Sequence, residues 1–169
     1  GAFADAGQRV QVRSFADITP TDMTAAARVL FIASTTGEGD APDSASGFIR
    51  KVMRDQTDLT GVSYGLLSLG DRTYAGFCGF GRTLDGWLKS AGAQPLFDAV
   101  EVDNGDAAAV RHWQGELSRL TGSVDAPDWA PPAYADWRLV ERRLLNPGSP
   151  GEGAWHLAFE PVDGGLQWV

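Results

Sequence analysis

The sequence predicts an α/β domain built on an open parallel sheet, followed by the beginning of an antiparallel β structure. Over the first two-thirds of the chain, short apolar runs alternate with patterns of helical period, the mark of βαβ units. One run, Arg28-Val29-Leu30-Phe31-Ile32-Ala33-Ser34, has an unbroken apolar centre, as a strand covered on both faces requires. Beyond residue 122 prolines cluster, and the segments that follow alternate with the period of two that suits a half-buried strand.

The elements follow in order. Gly1-Ala2-Phe3-Ala4-Asp5-Ala6-Gly7 is helix-like, and Arg9-Val10-Gln11-Val12-Arg13 alternates as a first strand would. After the strand at 28–34, Ile49, Val52 and Met53 recur at helical spacing, with Asp40 or Asp43 available as a cap. Val62 to Leu69 supplies the next strand. Leu84, Trp87 and Leu88 mark a second helix that Gly92 would stop. Phe97 to Val102 reads as another strand, and Val110, Trp113, Leu117 and Leu120 line a third helix ending near Gly122. The predicted domain is 1–122. A linker at 123–135 holds Pro127, Pro131 and Pro132. In the remainder, 136–169, Trp137 to Leu145 and Trp155 to Glu160 read as strands on either side of the turn-rich Asn146-Pro147-Gly148-Ser149-Pro150-Gly151. Gly165-Leu166-Gln167-Trp168-Val169 reads as an unfinished strand, and no internal repeat is found.

Composition narrows the function. A chain of 169 residues, 43% hydrophobic, can bury one sizeable core and a small appended piece. No apolar run approaches the length of a membrane span, and nothing at the start resembles a signal peptide, so a soluble, cytoplasmic location is expected. The formal charge of −8 repels phosphate backbones and argues against nucleic acid, while it suits docking on a basic protein surface. The single cysteine, Cys78, excludes an internal disulfide and a thiolate cluster. The two histidines, His112 and His156, lie far apart in sequence, so no metal centre is expected.

In an open parallel sheet the ligand sits beyond the carboxyl ends of the strands, so the loops there carry the chemistry. Ser34-Thr35-Thr36-Gly37-Glu38-Gly39-Asp40 offers hydroxyls and two glycines that let the backbone approach a flat ligand; it also reads as an ordinary strand-to-helix turn. Glu38 and Asp40 make it a poor phosphate cradle. In Gly70-Asp71-Arg72-Thr73-Tyr74-Ala75-Gly76-Phe77-Cys78-Gly79, Tyr74 and Phe77 are placed either to stack on a planar ring or to pack the next helix on the sheet. The Gly76/Gly79/Gly81 spacing resembles a dinucleotide fingerprint only loosely. Cys78 has no histidine near it in sequence and reads as a small buried residue. Asp103 either faces the edge of a bound ring or caps the following helix.

Taken jointly, FIASTTGEGDAPDSA, LSLGDRTYAGFCGFGRTLDGWL and GAQPLFDAVEVDNGD, in this order and spacing, resemble the FMN domain of diflavin reductases. That family includes the sulfite reductase flavoprotein subunit and cytochrome P450 reductase. The tail ERRLLNPGSPGEGAWHLAFEP resembles the entry into the FAD-binding, ferredoxin-reductase-like domain of the sulfite reductase branch, the start of an antiparallel barrel. The resemblance implies a flavodoxin-like doubly wound parallel sheet of order 2-1-3-4-5, with FMN between strands 1 and 3; flavodoxin is the type case of that order. It implies that Ser34, Thr35, Thr36 and Gly37 line one side of the isoalloxazine. Leu69, Gly70 and Asp71 approach its other edge, and Tyr74 stacks on a face, with Phe77 and Cys78 in the same loop. Asp103 lies near the ring–ribityl region. No residue is implied to act as a general acid or base.

The resemblance further implies a parent in which NADPH reduces FAD, FAD passes electrons singly to FMN, and FMN hands them to a haem or sirohaem acceptor. An acidic rim of Glu38, Asp40 and Asp71 would orient a basic acceptor. The resemblance implies that the NADPH site and nearly all of the FAD site fall outside this chain, so by itself it is not expected to be an active reductase. Some relatives carry a membrane-spanning module upstream. Two departures stand out. Thr36 occupies a place where many relatives have an aromatic residue, leaving one ring face less covered. The family's first strand and its Ser/Thr-rich phosphate loop have no counterpart here, which predicts weak FMN binding and a fragile or rearranged sheet. The rival readings are a flavin-free fragment serving as an interaction scaffold, and a phosphoacceptor receiver. The receiver needs an acidic cluster and a lysine that strands ending in Ser34, Gly70 and Asp103 do not supply.

Overall fold

Parallel strand pairing organises the larger part of the chain. The computed structural model describes residues 3, 7–54, 57–122 and 136–162. The predicted linker at 123–135, most of the predicted helix at 1–7 and the strand predicted at the carboxyl end lie outside the described residues. The chain divides into two compact units, residues 1–128 and 129–169.

In the first unit, β1 (Arg28–Ser34) runs parallel to β2 (Ser63–Gly70), with Arg28 opposite Ser63 and Ser34 opposite Leu69. On the other side of β2 lie β3 (Gln94–Pro95) and β4 (Val100–Asp103), both parallel to it, with Leu67 opposite Val100 and Gly70 opposite Asp103. Successive residues of β2 point to opposite faces, and each face has its own core. Tyr64 and Leu66 join Phe31, Phe48, Phe80, Leu84 and Leu88 on one side. Leu67 joins Val100, Val102 and Trp113 on the other. The sheet is therefore covered on both faces, as a doubly wound α/β fold requires.

The helices fall where the apolar spacing placed them. Residues 43–53 form one short helical run, α2, in which a tight turn, an α turn and a wide turn at Ile49–Met53 follow one another. Neither Asp40 nor Asp43 caps it: Pro42 occupies the cap position and no side chain bonds there. The Asp40 backbone instead pairs with Thr36 in both directions, at 2.9 and 2.8 Å. Helix α3 (Gly79–Ser90) buries Phe80, Leu84 and Leu88 and ends at Gly92, whose φ of +92° suits glycine. Helix α4 (Ala107–Thr121) ends at Gly122 with φ +68°. A further short helix, α1 (Pro20–Ala25), precedes β1; its reciprocal cap between Thr19 and Asp22 is a signal the sequence carried at Thr19-Pro20-Thr21-Asp22.

One predicted strand is absent. Residues 8–14 form no ladder and are exposed, with Val10 at 53% and Val12 at 94%. Alternation suits a strand, but a strand also needs backbone partners and a face to bury. No described strand pairs with this segment. The outer edge of β1, where a neighbour would pair, is open among the described residues, and Ile32 there is 59% exposed. Phe97, predicted within a strand, lies between β3 and β4 and packs edge-on against Trp113 at 5.4 Å.

The second unit is an antiparallel hairpin, β5 (Trp137–Leu144) against β6 (Trp155–Pro161), with a bulge between Leu139 and Glu141. Asn146 fastens its loop: the side-chain amide donates to Glu152 O at 3.0 Å, and its Oδ1 accepts from Ala154 N at 2.6 Å.

Candidate functional site

Strands β1 and β2 end side by side, and their following loops rise together. Thr35 N continues the ladder by donating to Leu69 O at 3.0 Å. The first loop closes on itself through the Thr36–Asp40 bridge. The second is shaped by Asp71, whose carboxylate accepts from Thr73 N at 2.8 Å and Thr73 Oγ1 at 2.6 Å. Those two bonds hold the Asp71 carboxyl below the usual carboxylate range, so it stays ionised.

The loops are laced backbone against backbone. Ala75 N donates to Glu38 Oε2 at 3.2 Å. A Cβ on Gly76 would overlap the carbonyl of Glu38, and one on Gly79 would stand 2.6 Å from Gly39 O. A Cβ on Gly81 would overlap Ser68 Oγ. The Gly76/Gly79/Gly81 spacing is thus a packing requirement and not a dinucleotide fingerprint.

Between the loops lies a cleft of about 490 Å³. It is lined by Ser34, Thr35, Thr36, Gly37, Leu69, Gly70, Asp71, Tyr74, Phe77 and Cys78, with Gly76 beside them. These are the residues singled out in the sequence, with one exception. Asp103 is not among the lining residues. It does not cap α4 either, because Asp106 does, accepting from Ala108 N at 2.7 Å. Asp103 accepts instead from Arg72 N at 2.9 Å and pairs with the Arg72 guanidinium at 3.4 Å. Arg72, Arg82 and Glu101, which the sequence did not single out, complete that contact; it depends on β-strand register, which no local motif reports.

The aromatic residues divide in role. Tyr74 is 52% exposed at the cleft mouth, free to lie against a flat ligand, whereas Phe77 is 7% exposed and packs against α3 and the two arginines. Cys78 is buried at the start of α3 with φ +54°, and its Sγ donates to Ser68 O at 3.4 Å. Burial pushes its thiol pKa up, which keeps it protonated and unreactive. Among the described residues, two buried side-chain oxygens lack a hydrogen-bond partner, Thr35 Oγ1 and Ser68 Oγ, and Thr35 belongs to the cleft. A planar heterocycle with polar edges fits this lining: glycine backbone to approach, an orphaned hydroxyl to pair, and an exposed phenol ring to stack. Among the described residues no group of three or more metal-ligating side chains occurs, and no helix is long and apolar enough to cross a membrane.

A parallel sheet covered on both faces, with a glycine-lined cleft beyond its strand ends, defines a ligand-binding domain of the doubly wound α/β class. The sequence profile of the Flavodoxin family matches residues 2–113, and the chain belongs to that family. Over 127 residues it is 34% identical to the sulfite reductase (NADPH) flavoprotein alpha-component of Vibrio cholerae, covering 70% of this chain and 20% of that protein. Methionine synthase reductase of Bos taurus is 40% identical over 85 residues, 48% of this chain and 12% of that protein. The chain thus spans about a fifth of the length of its sulfite reductase relatives, 20% of the Vibrio cholerae protein. Among solved structures, a Streptococcus pneumoniae flavodoxin superposes with a TM-score of 0.60 at 25% identity, covering 73% of this chain and 84% of that one. Oxidised flavodoxin 1 of Bacillus cereus gives 0.60 at 20% identity, covering 71% and 82%, and shows the shared fold.

Proposed function

We propose that the cleft holds the isoalloxazine ring of FMN and that the chain serves as the FMN domain of an NADPH-dependent diflavin oxidoreductase. The observation that carries this reading is the cleft itself. Ten residues from two loops at the ends of neighbouring parallel strands converge on one concave surface, with the orphaned Thr35 hydroxyl and the exposed Tyr74 ring among them. Likeness to flavoprotein reductases supports it. Once bound, the flavin supplies one-electron transfer chemistry.

The chain's own residues bind and orient. Ser34 to Gly37 and Leu69 to Asp71 present backbone and hydroxyl groups to the ring edges, and Tyr74 lies against a face. In a diflavin parent, an FAD-binding domain that would begin with the β5–β6 hairpin would be the electron donor, and a protein of haem or sirohaem type would be the acceptor. Asp71 lines the cleft, and Glu38 and Asp40 follow the lining residues 34–37 in the same loop; their negative charge favours a basic acceptor surface.

Glu38 and Asp40 oppose phosphate, so these loops read the ring. Titration of FMN and of riboflavin with the 169-residue chain, followed by quenching of flavin fluorescence, tests this. Both bind within about threefold of each other, and Tyr74→Ala weakens both by about tenfold, the worth of one stacking contact. No quenching by either flavin contradicts the reading.

A further inference from the structure

The Gly70–Gly79 loop that carries Tyr74 is tied at both ends to a single strand that contributes nothing to the cleft lining. Glu101 and Asp103 lie two residues apart on one face of β4, opposite Ser68 and Gly70 of β2. Near the loop's start, Arg72 gives its backbone N–H to Asp103 at 2.9 Å, and its guanidinium stands 3.4 Å from the same carboxylate. On the first turn of α3, Arg82 forms a two-pronged pair with Glu101, at 2.6 and 3.0 Å. Both guanidinium groups then rest against the one ring of Phe77, at 4.4 Å for Arg72 and 5.7 Å for Arg82. Phe77 is 7% exposed and closes the loop four residues from Tyr74's neighbour Thr73.

We propose that Arg72 and Arg82, held by Asp103 and Glu101 and meeting on Phe77, form a clasp that positions the loop wall of the cleft. None of the four charged residues lines the cleft; they act through Phe77 and the arch of residues 73–76. A bidentate guanidinium pair fixes direction as well as charge, and an arginine plane on an aromatic face adds to it. The arch is thereby ordered before any ligand arrives, which removes part of the ordering cost of binding and slows release. Asp103 is accordingly a positioning residue and not a ligand contact. The part of the proposal that concerns release rests on the flavin reading of the cleft; the clasp itself does not.

Amide hydrogen exchange across residues 73–77 of the intact chain tests the clasp without any ligand. The side chains are half-exposed, so each pair is worth no more than about a fivefold change in loop opening. Asp103→Asn and Arg82→Gln each raise exchange at 73–77 by about that factor and leave α4 amides unchanged. Arg82→Lys, which keeps the charge and loses the fork, falls between wild type and Arg82→Gln. Raising sodium chloride to about 1 M speeds loop exchange in wild type and has less effect in the variants, because screening removes what the variants already lack. With riboflavin as the probe, release accelerates in step with exchange. Unchanged exchange in both variants overturns the clasp, and faster exchange with unchanged riboflavin release overturns its role in holding the ligand. A wild-type chain that takes up no riboflavin defeats the flavin reading alone, because the exchange result still decides the clasp.

Discussion

Tyr64 shows how one polar atom is accommodated in an otherwise apolar core. Its ring is fully buried among Phe80, Leu84 and Leu88, and its hydroxyl donates to Asp85 at 2.6 Å; Asp85 in turn takes Lys89 at 2.7 Å. Burial first, then the hydrogen bond to Asp85 and that residue's charge, push the phenol's pKa well above its ordinary 10.0. The sign follows from linkage: a group whose folded pKa is raised contributes stability that is complete below the unfolded pKa and is lost as pH rises through the folded value. Tyr64→Phe therefore costs about 1.5 kcal/mol near neutral pH, the worth of a hydrogen bond to a charged group. Urea unfolding of both chains above the ordinary tyrosine pKa shows the gap narrowing, since only the wild type carries the phenol. A gap that stays constant across that range means the hydroxyl is not linked to folding. Thr35 presents the converse case at the cleft, a buried hydroxyl with no partner among the described residues, and nothing local in the chain distinguishes the two. Hydroxyl satisfaction is a tertiary property.

At the scale of elements, legibility depended on whether the determining interactions were local. Helices α3 and α4 were readable because apolar spacing and a terminal glycine lie within one segment, and their glycines take the left-handed φ values of +92° and +68°. The cleft loops were readable for the same reason: strand, loop and following helix are contiguous, and ten of the residues named from them meet at one surface. The strand at 9–13 failed because alternation reports a half-buried face and says nothing of a ladder partner. The pairing of Asp103 with Arg72 is not legible locally, because Arg72 lies 31 residues away and is brought to it by the register of β4 on β2; of the two roles the sequence offers Asp103, the cap falls to Asp106. The cap of α4 makes the point measurable. Asp106→Ala removes the side chain that accepts from Ala108 N and lowers stability by about 1 kcal/mol, seen as a shifted thermal or urea midpoint. Asp103→Ala leaves α4 exchange protection unchanged, and a loss of that protection would return Asp103 to the capping role.

At the scale of the whole molecule, two units with different strand arrangements share one chain, a parallel sheet covered on both faces and an antiparallel hairpin. The net charge of −8 is the whole-molecule property that the proposed basic acceptor would meet, and charge of this kind governs encounter more than affinity. On the proposed reading the chemistry would reside in the bound ring, and the protein's part would be position, supplied by glycine-permitted lacing of two loops and by the arginine clasp behind one of them. The central claim is therefore spatial: a flavin ring occupies the cleft between β1 and β2. The most direct measurement is amide chemical-shift mapping of the isotope-labelled chain during titration with riboflavin. The account predicts shifts concentrated at Ser34 to Gly37, Leu69 to Asp71 and Tyr74 to Cys78, with β5 and β6 unmoved. Saturating riboflavin with no shifts in those loops, or with shifts centred elsewhere, would contradict it.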